Sequence, residues 1–530
     1  MNKQPYYITA GELAALGREQ IPPELISNTH LIYSSPATLS FNSPGAQGFG
    51  VKRAGLAIPG SVMLLVAPGC CGRNTTILSE LGGYSDRFFY LNMDENDIVT
   101  GKHLRSIPQA VVEVCRALPQ KPTVVMICIT CVDALLGTDM ERVCRKASEA
   151  AGLPVLPCYM YALTREGRKP PMVAVRQAIY SLLEPMTKHP DTVNLLGHFA
   201  PLNDDCELYP LLRQFGLRQI NEISRCRSLQ EYKNMAQANF NLILHPEVRL
   251  AAEEMETRLH IPSIELTRMY QLDKIRNQYR ILARTLGAGL QDDAYYEPAR
   301  QAVEEFTQAR PQVKVAIGGM LNANSFELAL ALTRYGLTVR EIYGNLGAED
   351  FVYIRQLARL SPETRIYTNL SPTMLYYDCS HADIDLTLGK DAEYYHPGSV
   401  NVPFNEERQP FGYEGVRLLF TQLKKALDLA ASGQKQLHIY GSASAFAAKA
   451  AAEGQLGVQD ASVPKDNAGA KPVQGQEEAS GTNNVQNQEE APGTNNVQNQ
   501  EEASGANNVQ NQEEASGAKV VSNQEGRDQA

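Results

Sequence analysis

The chain has 530 residues, 43% of them hydrophobic, which is enough for several domains with their own cores and too long for a small disulfide-held scaffold. Its formal charge is −10, with Lys and Arg scattered rather than gathered into stripes, and this excludes the electrostatic footprint of nucleic-acid binding. The N-terminus shows no apolar stretch ahead of a small-residue cleavage site, and the apolar run Ser61–Val66 is too short for a bilayer; a soluble, cytoplasmic protein without membrane contact is expected.

From about Ser61 to about Phe404, short β-rich apolar runs alternate with helix-length amphipathic stretches, the pattern of βαβ units and parallel sheets in an α/β fold. Strands are predicted at Val62–Ala67, Phe88–Met93, Thr123–Thr130, Val155–Met160, Thr192–Gly197, Asn241–His245, Val313–Ile317, Val339–Tyr343, Arg365–Leu370 and Ile384–Leu388. Between them lie helical stretches with a 3.6-residue period; Glu349–Leu360 is a clear example, and Val416–Ala430 is another after the last strand. Ten strands exceed one comfortable open sheet. Sheet breaks are therefore placed near Pro190 and Pro311, giving domains at 1–190, 191–310 and 311–445.

Beyond residue 446 the composition changes. A twelve-residue unit, NNVQNQEEASGA, recurs with its Glu pair at 477/478, 489/490, 501/502 and 513/514. With one valine per unit it cannot bury enough apolar surface to offset ordering entropy, so a disordered acidic tail is expected.

Ten cysteines in a chain expected to meet a reducing cytosol point to burial, redox chemistry or metal binding rather than disulfides. Two loops concentrate the interest. In VMLLVAPGCCGRNTTIL, Cys70 and Cys71 sit between Gly69 and Gly72 at a strand-to-helix turn, where parallel sheets place their chemistry. A phosphate loop is a competing reading, but no lysine follows Gly72. Simple burial of small thiols is another. Thiolates at strand ends, beside the backbone N–H groups of a helix N-terminus, suit iron–sulfur ligation. In the second loop, TVVMICITCVDALLGTDMERVCRKASEAAG, Cys128 lies within the strand and Cys131 just past it; Cys131 is the stronger metal ligand of the pair.

The stretch CITCVDALLGTDMERVCRKASEAAGLPVLP resembles the segment of nitrogenase component 1 subunits in which a cluster-ligating cysteine precedes a helix. APGCCGRNTT is similar to their GPxGC loop, and HPGSVNVPFNEERQPFGYEGVRLLFTQL to their C-terminal GY(D/E)G segment. The three matches occur in the family's order and cover roughly residues 30 to 432. The resemblance implies three Rossmann-like domains with mainly parallel sheets. It also implies pairing with a homologous component 1 subunit, as a heterotetramer or homo-oligomer, and electron delivery by a nitrogenase-reductase-like iron protein that uses ATP.

Carried over residue by residue, Cys71 and Cys131 match two cluster cysteines, with Cys70 and Cys128 beside them as further thiols; the implied cofactor is an iron–sulfur cluster of the 4Fe–4S type. The family's first cluster cysteine falls within Leu39–Ala46, where this chain offers only Ser40 and Ser43. His245 stands where the molybdenum–iron α subunit has its cofactor cysteine, and the histidine ahead of GY(D/E)G is replaced near Phe411, so an iron–molybdenum cofactor is not expected. His245 is the candidate catalytic residue, as a ligand or proton donor, with a satisfied core or capping residue as the structural alternative. Asn322, Asn324 and Asn345 are candidates to line the same cleft. The expected function is a component-1-like oxidoreductase subunit with an unknown substrate; the alternative is a non-catalytic scaffold for metallocofactor assembly.

Overall fold

All ten expected strands form, and four others join them, in the computed structural model, which describes residues 4–25, 54–69, 84–130, 132, 136–159, 169–369 and 371–432. The segment 39–46, Cys70, Cys71, Cys131 and the acidic repeats lie outside the described residues.

Chain order begins with β1 (Ile8–Thr9), followed by β2 (Ser61–Ala67), β3 (Phe88–Asn92), β4 (Val124–Ile129) and β5 (Val155–Tyr159). The last four form a parallel sheet ordered β3-β2-β4-β5. All of β2 and β4 is buried, as a parallel sheet covered on both faces requires. Alternation then sorts the side chains. Val62, Leu64 and Val66 face one apolar cluster with Val125, Ile127 and Ile129, while Met63, Leu65 and Ala67 face another with Met126 and Cys128. Pro157 is accommodated because β5 is an edge strand, where a missing N–H breaks no ladder.

A second parallel sheet contains β6 (His189–Leu196), β7 (Gln219–Glu222), β8 (Ala238–Ile243) and β9 (Ser263–Glu265), ordered β7-β6-β8-β9. The third contains β10 (Lys314–Ile317), β11 (Thr338–Tyr343), β12 (Arg365–Tyr367), β13 (Leu386–Leu388) and β14 (Val400–Val402). Its order is β1-β12-β11-β10-β13-β14, parallel throughout except that β1 pairs antiparallel with β12. The N-terminal strand therefore belongs with the third sheet, so cutting the sequence at residue 190 does not separate the sheets cleanly. The helix Ala10–Leu16 that follows β1 packs on the helix Phe351–Leu360 of the same sheet.

In each sheet one inner strand, β2, β6 or β10, has its sequence successor on one side and a later strand on the other. The order of strand addition reverses between β2 and β4, between β6 and β8, and between β10 and β13, while these strands stay parallel. Crevices beyond the carboxyl ends of such strands are where α/β folds bind ligands. One apolar cluster joins the first sheet to the second, and a larger one joins the second to the third through the helices 272–285, 293–309 and 412–431.

Buried Glu207 fixes the start of the helix Gly412–Ala431. Its carboxylate accepts the backbone N–H of Tyr413 at 2.6 Å and of Glu414 at 3.0 Å, and the Tyr279 hydroxyl at 2.6 Å. Such a carboxylate satisfies orphan N–H groups and the positive end of the helix dipole together. Gly412 has φ +62°, and a Cβ there would meet Glu207 Oε1 at 1.9 Å, which accounts for the first glycine of the GYEG segment.

Candidate cofactor cleft

The second sheet ends in polar residues: His198 after β6, His245 after β8 and Arg268 after β9. Close approach of the first two depends on Gly197, where φ is +126° and a Cβ would lie 2.8 Å from the His245 backbone N. The two imidazole rings meet edge to face at 5.7 Å between centroids.

His245 caps the short turn Pro246–Val248, its Nδ1 accepting the backbone N–H of Glu247 at 3.3 Å. In the neutral ring that bond leaves the proton on Nε2, so the ring's other nitrogen is an N–H donor rather than a lone pair. Burial, with the guanidinium groups of Arg176, Arg268 and Arg249 nearby, holds the His245 pKa well below the ordinary histidine range. The cap that the sequence allowed as an alternative is thus what the geometry contains.

Arg176, 4% exposed, comes from the helix Pro171–Tyr180. It pairs with Glu247 at 2.8 Å, donates to the carbonyl of Gly197 at 2.8 Å and lies over the Phe199 ring at 4.5 Å. Arg268 Nη2 donates to His198 Nε2 at 3.2 Å and to Gln409 Oε1 at 2.8 Å. Burial first, then Arg268, pushes the His198 pKa well down, so that ring too is a neutral acceptor.

Gln409 belongs to the segment leading into the GYEG helix and is stitched to the loop after β6. Its N–H donates to the Pro201 carbonyl at 2.9 Å, and its carbonyl accepts from Asn203 N–H at 3.1 Å. Asn322, just past β10, donates from Nδ2 to Gln409 Oε1 at 3.1 Å and accepts the Glu406 N–H. Asn322 is thereby tied to the cleft through Gln409.

Asn324 and Asn345 lie elsewhere. They line a separate pocket of about 330 Å³ over the third sheet, with Gly319, Tyr343, Asn369 and Asp391. Asn324 is engaged as the cap of the helix Ser325–Arg334, accepting from Phe326 and Glu327 N–H and donating to Asp350 at 2.6 Å. Phe411, 2% exposed, is core.

In the first sheet, Cys128 is fully buried in β4 and paired in register with Leu65 and Cys158. That environment is packing, with Met63 and Met126 in the same cluster. Thr130, one residue before Cys131, is 2% exposed with its hydroxyl lacking a partner among the described residues. Among those residues no three His, Cys, Asp or Glu side chains converge to hold a metal ion. No disulfide joins the seven described cysteines among the described residues, and no described helix is long and apolar enough to cross a membrane.

Arg176, His198, Arg268 and Gln409 escaped the sequence reading because they come from four distant segments with no shared spacing. A glycine and histidine directly after the strand NLL were the one local hint.

The family model for nitrogenase component 1 type oxidoreductases matches residues 46–428. The nitrogenase iron-molybdenum cofactor biosynthesis protein NifE of Sinorhizobium fredii is 27% identical over 369 residues, covering 64% of this chain and 71% of that protein. The protein of the same name from Rippkaea orientalis is 24% identical over 359 residues, covering 64% and 74%. Among solved structures, one titled "Nitrogenase Cp1 at pH 6.5" shares the fold, with a TM-score of 0.59 at 15% identity over 74% of this chain and 94% of that one. With the matched segment spanning all three sheets, the chain belongs to the nitrogenase component 1 type oxidoreductase family.

Proposed function

We propose that this chain carries a metallocofactor during its assembly, using the component 1 fold as a scaffold, and that residues 1–190, 191–310 and 311–445 approximate its three working domains. The carrying observation is His245. Its Nδ1 is committed to its own turn, so the residue at the cofactor cysteine's place offers a hydrogen-bond donor instead of a metal ligand. A cleft of donors and neutral acceptors holds its guest without a covalent anchor and can give it up. The names of the relatives, cofactor biosynthesis proteins, favour the same reading.

In this reading Cys71 and Cys131, with Cys70 adjacent, hold an iron–sulfur cluster of the 4Fe–4S type, and Cys128 is left to packing. Such a cluster supplies one-electron storage when bound. The residues that set off Cys70, Cys71 and Cys131 follow β2 and β4, the neighbours at the first sheet's reversal point. The unpartnered Thr130 hydroxyl suits a polar guest there. Partners are a homologous component 1 subunit and a nitrogenase-reductase-like iron protein, in the cytoplasm.

The cysteine placement also supports a second reading, an oxidoreductase subunit that accepts electrons and reduces a substrate itself. A transfer assay separates the two. Purified anaerobically from a cell that makes such cofactors, the carrier restores activity to a cofactor-free component 1 acceptor and shows no turnover with reductase, ATP and dithionite. Turnover without transfer would replace the carrier reading with the second.

A further inference from the structure

We propose that Glu341, Tyr343, Tyr377 and His396 form a binding site for one hard trivalent cation, iron(III), on the third sheet; the site goes beyond the carrier reading and does not depend on it.

Glu341 and Tyr343 are two residues apart in β11, so their side chains share a face. His396 directly follows the helix Lys390–Tyr395, and Tyr377 lies between the turns Pro372–Tyr376 and Cys379–His381. The four side chains converge. Glu341 Oε2 stands 2.5 Å from the Tyr343 hydroxyl, 2.7 Å from the Tyr377 hydroxyl and 2.9 Å from His396 Nε2. His396 Nε2 in turn stands 2.8 Å from the Tyr343 hydroxyl and 3.1 Å from the Tyr377 hydroxyl.

Protons do not account for so many contacts. Burial opposes ionisation of Glu341, yet the bonds from His396, Tyr343 and Tyr377 hold its carboxyl below the ordinary range, so it is a carboxylate. Burial and that carboxylate push both phenols up, so each keeps its proton. Two hydroxyls and Nε2 then offer three protons at most for five contacts, and the rest press lone pairs together. A cation at the common point turns that repulsion into attraction. Donors about 2.0–2.2 Å from a first-row cation stand about 2.8–3.6 Å apart, so these atoms need part by only a few tenths of an ångström.

Two phenolates and a carboxylate are hard donors whose three negative charges match a trivalent ion, and imidazole suits iron. On binding, both phenol protons pass to the buffer. Outer partners hold the donors in place: the Tyr343 ring stacks on Tyr367 at 5.3 Å and on Tyr395 at 4.7 Å, and the second carboxylate oxygen faces Tyr367 and Arg365. Glu341 and His396 are each 4% exposed, so entry is past Tyr377, which is half-buried beside exposed Leu375 and Tyr376. Phenolates strongly prefer iron(III) to iron(II), so the site fills in oxidised protein and stays metal-free in anaerobically purified protein. A hydrogen-bonded network that only ties the helix Lys390–Tyr395 to β11 is the competing account, and it takes up no metal.

The test adds iron(III) nitrilotriacetate to the metal-free full chain in air and reads visible absorption, resonance Raman scattering and the melting midpoint. Wild type is expected to take up a single tyrosinate-bound iron per chain, with a tyrosinate-to-iron charge-transfer band and tyrosinate ring modes in resonance, and to melt higher when loaded. Iron on the cysteine loops gives no tyrosinate modes. Tyr377→Phe is expected to bind at least about tenfold more weakly, with a shifted and weaker band. Tyr394→Phe, at an exposed neighbouring phenol, should bind as wild type does. Absence of tyrosinate modes in loaded wild type, an unchanged band and affinity in Tyr377→Phe, or displacement of the iron(III) band by equimolar zinc(II) would each overturn the proposal. The wild-type Raman spectrum decides the matter even where Tyr377→Phe folds poorly.

Discussion

Cys128 and Cys131 are three residues apart, and their expected behaviour is opposite. Cys128 sits in register between Leu65 and Cys158 with no exposed surface, so Cys128→Ala removes a buried sulfur and costs about 1–2 kcal/mol of stability while iron is retained. Cys131→Ala is expected to lose iron while keeping the thermal midpoint of the metal-free protein. Iron quantification beside thermal melting checks this, and equal iron loss in both variants would reverse the assignment. The placement of Cys128 within a strand and of His245 at the end of one was legible from apolar runs, although the strand stops at Ile243, two residues earlier than expected. That His245 would cap its own turn was not, because the cap depends on the backbone N–H two residues on and on how Gly197 lets the loops meet.

Helices and strands were legible in proportion to their length and burial. β2 and β4 are long apolar runs, whereas β1, β7, β9 and β14, of two to four residues, carry too few positions for a period to show; β12 and β13, three residues each, were legible only within the longer runs Arg365–Leu370 and Ile384–Leu388. The helix expected at Val416 begins at Gly412 because Glu207, 205 residues before it, supplies the cap. A similar buried acid gives a pH prediction. Glu327, in the first turn of Ser325–Arg334, accepts from Tyr270 N–H at 3.0 Å and Gln271 Nε2 at 3.0 Å, and burial pushes its pKa up to about 7. The unfolded chain releases that proton near the ordinary glutamate value, so between roughly pH 4.5 and 7 the folded state binds more protons and stability falls as pH rises. Glu327→Gln should flatten this slope, raising stability at pH 8 by on the order of 2 kcal/mol with little effect at pH 4.5. Denaturant titrations at the two values measure it; an unchanged slope would mean that the carboxyl is not the titrating group.

At the scale of the molecule, three parallel sheets each place a reversal point where polar residues emerge, and the second and third meet at the cleft through Arg268, Gln409 and Asn322. The alternation of strands and helices made the α/β class legible. The pairing of β1 with β12 was not, since nothing local tells a two-residue strand which sheet it will join. The cleft was half legible, because each sheet's strand ends can be read from sequence but their convergence cannot. The central claim is that this cleft carries a metallocofactor distinct from the cluster at the cysteine loops. Anomalous diffraction at the iron edge, from crystals of anaerobically purified full-length protein, tests it most directly. Two iron-containing sites are predicted, one beside Cys71 and Cys131 and one bounded by His198, His245 and Arg268; iron confined to the cysteine loops would contradict the account.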